Sequence, residues 1–181
     1  MKRQTEAFVS ANMFDAGIGT VAVARFRGNG EVEVGVFLVD VYCLGVKNAF
    51  YVRAGQMEYE RELLDRILPA EDRKPIDLPS ARKLVEGAVA YAKDLGFAPN
   101  PDYKKACRVF GGIEAADSTA SFTYGKDGKP FYITGPYDPP QLASRIVEQL
   151  RSRCGEGGFH YLICVGGGEL DESDSSDTEN P

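Results

Sequence analysis

The stretch TVAVARFRGNGEVEVGVFLVDVYCLGVKNAFY, residues 20–51, decides the reading of the fold. Two apolar runs flank the polar segment Arg27-Gly-Asn-Gly-Glu31. Asn29-Gly30 suits a two-residue type I′ turn, in which both central residues need positive φ. That turn sets Arg25 opposite Val34, Val23 opposite Val36 and Val21 opposite Leu38 on one face. Ala24 opposite Gly35 and Ala22 opposite Phe37 then share the other. From Gly35 to Val39 both faces are apolar, whereas a strand covered on one side alternates. The second strand is therefore expected to be central and covered on both sides. Ala24 against Gly35 leaves a shallow spot that a helix or a ligand can approach closely. Gly35 is thus a candidate binding position, with a packed helix as the simpler occupant.

Outward from this stretch, the pattern predicts a break at Gly45 and a short third strand over 49–53. A helix is expected over 56–68, with Met57, Leu64, Ile67 and Leu68 inward, then a polar loop to Asp77. The clearest helix is 79–95, where Ala81, Leu84, Val85, Ala88, Ala92 and Leu95 recur at three- and four-residue spacing and Gly96 supplies the stop. A shorter helix follows, with Asn100 as N-cap, Pro101 at its first position and Gly111 past its end. A second hairpin, SFTYGKDGKPFYIT, is expected to turn at Asp127-Gly128. Its alternation places Phe122, Tyr124, Phe131 and Ile133 on one face, and Ser121, Thr123, Tyr132 and Thr134 on a wet one. A last helix opens at Asp138-Pro139 and ends at Gly155, and 159–165 forms a final strand. Before the first hairpin, residues 1–19 are weakly patterned, with Phe8, Val9, Met13 and Phe14 in a short helix. The order of elements is that of an α+β fold: a mostly antiparallel sheet from two hairpins plus a C-terminal strand, packed with about four helices.

The 181 residues fit one domain, taken as 1–165, followed by an acidic, serine-rich tail at 166–181 that is expected to be disordered. The formal net charge of −6 resides in that tail. Of 27 acidic residues, Glu169, Asp171, Glu172, Asp174, Asp177 and Glu179 lie there, leaving 21 acids against 21 bases in the body. A neutral body and an acidic tail argue against nucleic acid as the partner. The N-terminus lacks the apolar core of a signal peptide. No apolar run reaches the length of a membrane span. Cys43, Cys107, Cys154 and Cys164 are accordingly read as reduced thiols of a cytoplasmic protein.

The single histidine limits the chemistry. Any Cys–His mechanism must use His160, with Cys43 as the thiol and Asp40 as the group that orients the imidazole. A second reading has Asp40 binding the amides of the turn at 41–45. Asp15, Glu114 and Asp138 are candidate acidic companions of Asp40. A metal held by Cys154, His160 and Cys164 fails on distance. In a strand His160 and Cys164 stand roughly 13 Å apart, whereas two ligands of one zinc are separated by about 4 Å at most. Gly166-Gly167-Gly168 lacks the Lys-Ser/Thr and the helix of a phosphate loop. No metal or cofactor is therefore expected. Lys126 and Lys129 at the second hairpin's tip, with Tyr132 and Tyr137, form a candidate binding surface of charge and aromatic rings.

Three blocks carry a resemblance: VGVFLVDVYCLGVKNAFY (34–51), ARKLVEGAVAYAKDLGFAPNPDY (81–103) and GKPFYITGPYD (128–138). Over roughly residues 20–138 the chain resembles a group of bacterial cytosolic proteins that share these blocks. No activity is established for that group, so the resemblance implies a bacterial, cytosolic, single-domain protein and assigns no catalytic role. The sequence therefore points to a binding or accessory module for a small molecule or a protein. The alternative is a small hydrolase using Cys43 or Asp40 with His160. The oligomeric state stays open at this point.

Overall fold

The computed structural model describes residues 4–163. The acidic tail and Cys164 lie outside the described residues. Strand β1 (Thr5–Ser10) leads into a short helix α1 (Met13–Ala16), and then into β2 (Ile18–Phe26), β3 (Glu31–Asp40) and β4 (Gly45–Gly55). Helical turns α2 (Gln56–Glu58) and α3 (Leu64–Ile67) are joined by a π-helical turn, Tyr59–Leu63. A short strand β5 (Arg73–Pro75) precedes the long helix α4 (Leu78–Asp94). Helix α5 (Tyr103–Ala106) runs on into a 3-10 turn at Cys107–Phe110. Strand β6 (Phe131–Ile133), helix α6 (Pro140–Cys154) and strand β7 (His160–Leu162) complete the described chain.

Five strands form one antiparallel sheet in the order β4-β3-β2-β1-β5, and β6 pairs with β7 in a small parallel sheet. The class is α+β. Strand β3 is central and apolar on both faces, for the reason its sequence suggests. On the first face Val21, Val23, Phe37 and Val39 pack under α4, α5 and the 3-10 turn, against Leu84, Val85, Ala88, Val109 and Phe110. On the second face Ala24, Val32, Val34 and Val36 pack under Tyr59 and Leu64. Helix α4 begins where Asp77 accepts a hydrogen bond from the Ser80 amide at 2.9 Å, with proline in its first turn.

The first hairpin differs in register from the sequence reading. Phe26 pairs with Val32, Val23 with Gly35 and Val21 with Phe37. Only Gly30 of the loop has positive φ, +85°, and the Arg27 amide bonds the Glu31 carbonyl at 2.8 Å. The connection is thus a three-residue loop ending in a left-handed glycine. One residue of slip exchanges the partners across the whole ladder.

Four other expectations are corrected. Residues 5–10 form a strand, not part of a helix, because they have an open sheet edge at β2 to pair with. Part of the loop before Asp77 is β5, which pairs with the outer side of β1 at residues 8–10. Met57 is 63% exposed, because the π-turn carries Tyr59 and Leu64 to the sheet instead. The second hairpin keeps its turn, with Asp127 at φ +51° and Gly128 at +78°, but not its ladder. Beyond the Lys126–Lys129 bridge its arms straddle the β3–β4 connection: the Gly125 amide bonds the Val41 carbonyl at 2.9 Å and the Phe131 amide bonds the Tyr42 carbonyl at 3.1 Å.

Candidate functional site

Where β3 ends and β4 begins, four parts of the chain line a half-open cavity of about 210 Å³. Asp40 and Tyr42 come from the β3 end, Lys47 from β4, Gly17 and Ile18 from the start of β2, and 131–136 from β6 and its exit. Each polar side chain has a local reason to be there. Asp40 closes β3, and its Oδ1 accepts from the amides of Tyr42 and Cys43, each at 2.9 Å. It therefore holds the tight connection to β4, as the turn reading expects. Lys47 sits in a β-bulge: Val39 pairs with Val46 and Leu38 with Asn48, leaving Lys47 without a partner across the ladder. The bulge re-aims its side chain into the cavity.

Asp40 is 7% exposed. Burial pushes its carboxyl up to about 6, although the amides of Cys43, Leu44 and Tyr42 and the charge of Lys47 hold it back. The Tyr42 hydroxyl donates to the carbonyls of Phe14, at 2.7 Å, and Asp15, at 3.1 Å, which ties α1 to the site. Its ring stacks on Phe131 with centroids 6.1 Å apart. The Lys126 ammonium lies over both rings, 5.8 Å from Tyr42 and 5.3 Å from Phe131. Asp138 anchors the far wall. It accepts from the Gly135 amide at 2.8 Å, stands 3.5 Å from the Tyr132 hydroxyl and 3.9 Å from the Lys47 ammonium. A carboxylate and a lysine thus converge on one small cavity beside two stacked rings.

The residues singled out in the sequence separate into groups. Asp40 is in the cavity wall. Lys126 caps its rings. Tyr137 is 94% exposed on the segment that closes the wall. Tyr132, by contrast, is fully buried beneath α6 with Ile146 and Leu150. The expected wet face thus holds on the first arm only, at Ser121 and Thr123. The reason is that β6 pairs with β7, not with that arm, and α6 covers it. Lys129 turns away and donates to the Gly157 carbonyl at 2.8 Å. The cleft beside Gly35 is filled: a Cβ there would lie 2.5 Å from Cγ1 of Val109 and 2.8 Å from the Ala106 carbonyl oxygen. Gly35 is a packing position under the 3-10 turn.

Cys43 and His160 do not act on each other in this geometry. Cys43 is fully buried with Leu95 and Leu150, and burial first, then the Asp40 charge, pushes its thiol well above the ordinary range. His160 is exposed, with its ring edge against Phe131 at 6.4 Å. No hydrogen bond joins the two among the described residues. Glu114 lies next to the 3-10 turn Ala115–Asp117, and Asp15 reaches the site through its backbone carbonyl. Lys47 is the member that sequence reasoning missed, while Asp138 is among the candidate acidic companions of Asp40. Asp138 had a signal in its helix-start position. Lys47 had none, because a bulge shows only once strands are in register.

A second concavity, about 460 Å³, lies on the second face of the sheet between Val36, Leu38 and Phe50 and the α3 residues Arg66 and Ile67. It is an apolar groove left where α2 and α3 stop short. The fold and the site define an antiparallel α+β protein with a small charged cavity at one end of its sheet. Compared with family models, curated proteins and solved structures, the chain finds no significant match. Among the described residues no helix is long and apolar enough to cross a membrane.

Proposed function

We propose that the protein is a binding module without catalysis of its own, and that its ligand is a small molecule held in the Asp40–Lys47 cavity. The observation that carries this reading is the convergence of those two opposite charges, from strands joined by a tight turn, on one small half-open cavity. Concave sites with a few convergent polar groups and a perturbed carboxyl are where ligands bind. The cavity offers an acceptor at Asp40, a donor at Lys47 and ring faces at Tyr42 and Phe131. Its ligand therefore carries both a hydrogen-bond donor and an anionic or carbonyl acceptor, as a small zwitterion does. The buried, proton-retaining thiol of Cys43 supports binding over Cys–His hydrolysis, since a nucleophilic cysteine needs an exposed thiolate. Cys43, Cys107 and Cys154 are free, which fits the cytoplasmic setting that belongs to this proposal.

The test is a saturation-transfer NMR screen of small amino acids, amines and carboxylates against the wild type, Asp40→Asn and Lys47→Met. Zwitterionic compounds should give signals with the wild type that fall sharply with both variants, and should be recovered chemically unchanged after prolonged incubation. Binding that ignores both substitutions, or steady consumption of a bound compound, overturns the proposal.

A further inference from the structure

We infer that a second copy of this chain adds to the open edge of β4, joining two five-stranded sheets into one continuous sheet. The strand order leaves β4 at the edge. Which of its backbone groups point outward follows from the ladder. The Arg27 amide bonds Glu31, so Glu31 and, at every second residue, Glu33, Gly35 and Phe37 turn their backbone groups toward β2. Val32, Val34, Val36 and Leu38 then turn theirs toward β4, where they meet Ala54, Val52, Phe50 and Asn48. That leaves the N–H and C=O groups of Ala49, Tyr51 and Arg53 pointing away from the sheet.

The two ends of this edge are closed. The Val46 carbonyl accepts from the Asn100 amide at 2.9 Å and the Lys47 carbonyl from Asn100 Nδ2 at 3.4 Å. The Ala49 amide is capped by Asn48 Oδ1 at 2.9 Å, and at the other end the strand gives way after Gly55 to α2. Between them, from the Ala49 carbonyl to the Arg53 carbonyl, the edge has no backbone partner among the described residues. Proteins ordinarily blunt such an edge with a bulge, a proline or an inward charge. Here the single nearby bulge is at Lys47, and 49–53 has neither bulge nor proline; its one charge, Arg53, is drawn to Glu33 of the same sheet at 3.3 Å.

The open segment is complementary to itself. A two-fold axis at Tyr51 pairs Tyr51 with its own copy through two N–H···O bonds. It also directs each Arg53 amide at the Ala49 carbonyl of the second copy. The charges agree with this register. Arg53, held by Glu33 at 3.3 Å, falls opposite Ala49 of the second copy, so no like charges meet across the seam. On the second face Phe50, 41% exposed, falls opposite Val52 of the second copy, so an exposed ring gains an apolar neighbour. An unrelated strand would satisfy the backbone groups. Only a second copy has this symmetric match of Phe50 to Val52 and Arg53 to Ala49.

Sedimentation velocity on the full chain and cysteine cross-linking test the inference together. The wild type should sediment as a dimer that dissociates on dilution, and Phe50→Lys should weaken that dimer more than ~10-fold while leaving the melting temperature of the monomer unchanged, as an exposed position allows. Tyr51→Cys should form a disulfide-linked dimer on mild oxidation, because directly opposed residues of a hydrogen-bonded pair are about 5.5 Å apart, within disulfide reach. Arg53→Cys should not, since its two copies would stand roughly 13 Å apart. The wild type, which carries the same native cysteines, among them the partly exposed Cys107 and Cys154, sets the background of cross-linking that must be subtracted. A monomeric wild type, or equal cross-linking of Tyr51→Cys and Arg53→Cys, overturns the inference.

Discussion

Phe37 and Leu38 are neighbours in β3 that face opposite ways, and their surroundings differ in kind. Phe37 is fully buried, stacked on Phe110 at 5.6 Å and edge-on to Tyr103 at 6.2 Å. Its face of the sheet is roofed by a long helix and closed further by the 3-10 turn seated on Gly35. Leu38 is half-buried at the floor of a groove, because the covering segment 56–67 reaches only the hairpin end of its face. Along β3 the less covered face is the more apolar, with Val32, Val34, Val36 and Leu38 against Phe37 and Val39 on the closed one. Apolar content therefore states how much surface could be covered, while the length of the covering element decides how much is.

The comparison can be broken by substitution. The largest effect is expected at the closed face, where Phe37→Ala should destabilise by roughly 3–5 kcal/mol. Met57→Ala, on the solvent side of the other face's cover, should cost under about 0.5 kcal/mol. Urea midpoints measure both, and near-equal midpoints would show that Phe37 is not held in a closed core.

Next in size is the charge at the end of the same strand. Asp40 has a folded pKa near 6 against an ordinary 3.8. Between those values the folded state holds a proton that the unfolded state has released. Stability from this group is therefore complete below the unfolded pKa and is lost as pH rises through about 6. Asp40→Asn keeps an oxygen for the Tyr42 and Cys43 amides but carries no charge. It should abolish that loss and, above pH 7, stabilise the protein by up to about 3 kcal/mol. Denaturant titrations at pH 4.5 and 7.5 read the difference, and an unchanged pH slope in the variant would remove Asp40 as its source.

A smaller effect sharpens the packing half of the comparison. Gly35→Ala forces a methyl against Val109 and should cost about 1–3 kcal/mol by overpacking. If it stabilises, the 3-10 turn is less firmly seated than its distances imply.

Much of this was legible beforehand, and the limits have physical causes. The two-faced burial of β3 could be read because a strand-length apolar run without alternation offers water neither face. The body of α4 could be read from the three- and four-residue spacing of Ala81, Leu84, Val85, Ala88 and Ala92, while its cap, Asp77, reads from the sequence as part of the loop before it. The hairpin register could not: Asn29-Gly30 is compatible with a two-residue and a three-residue loop, and the choice rests on the strands' packing. The second hairpin failed more deeply. Its turn chemistry at Asp127-Gly128 was right, but pairing of the arms is a non-local competition, and the β3–β4 connection and β7 won it. Lys47 entered the site through a bulge, which follows from register and not from residue type.

The π-helical turn at Tyr59–Leu63 has a consequence for insertions and deletions. Tyr59 and Leu64 are five positions apart, yet both reach the sheet. In a regular α-helix, at 3.6 residues per turn, positions five apart are rotated by about 140° and could not share a face. The widened turn absorbs one surplus residue. Deleting one residue there would let the backbone close to a regular α-helix, with Tyr59 and Leu64 four positions apart and rotated by about 40°, still on one face. Ile67 would keep its place at the groove and Leu64 its place on the sheet. A second deletion would find no widened turn left to absorb it, so homologous chains should tolerate one residue fewer between 59 and 64 but not two.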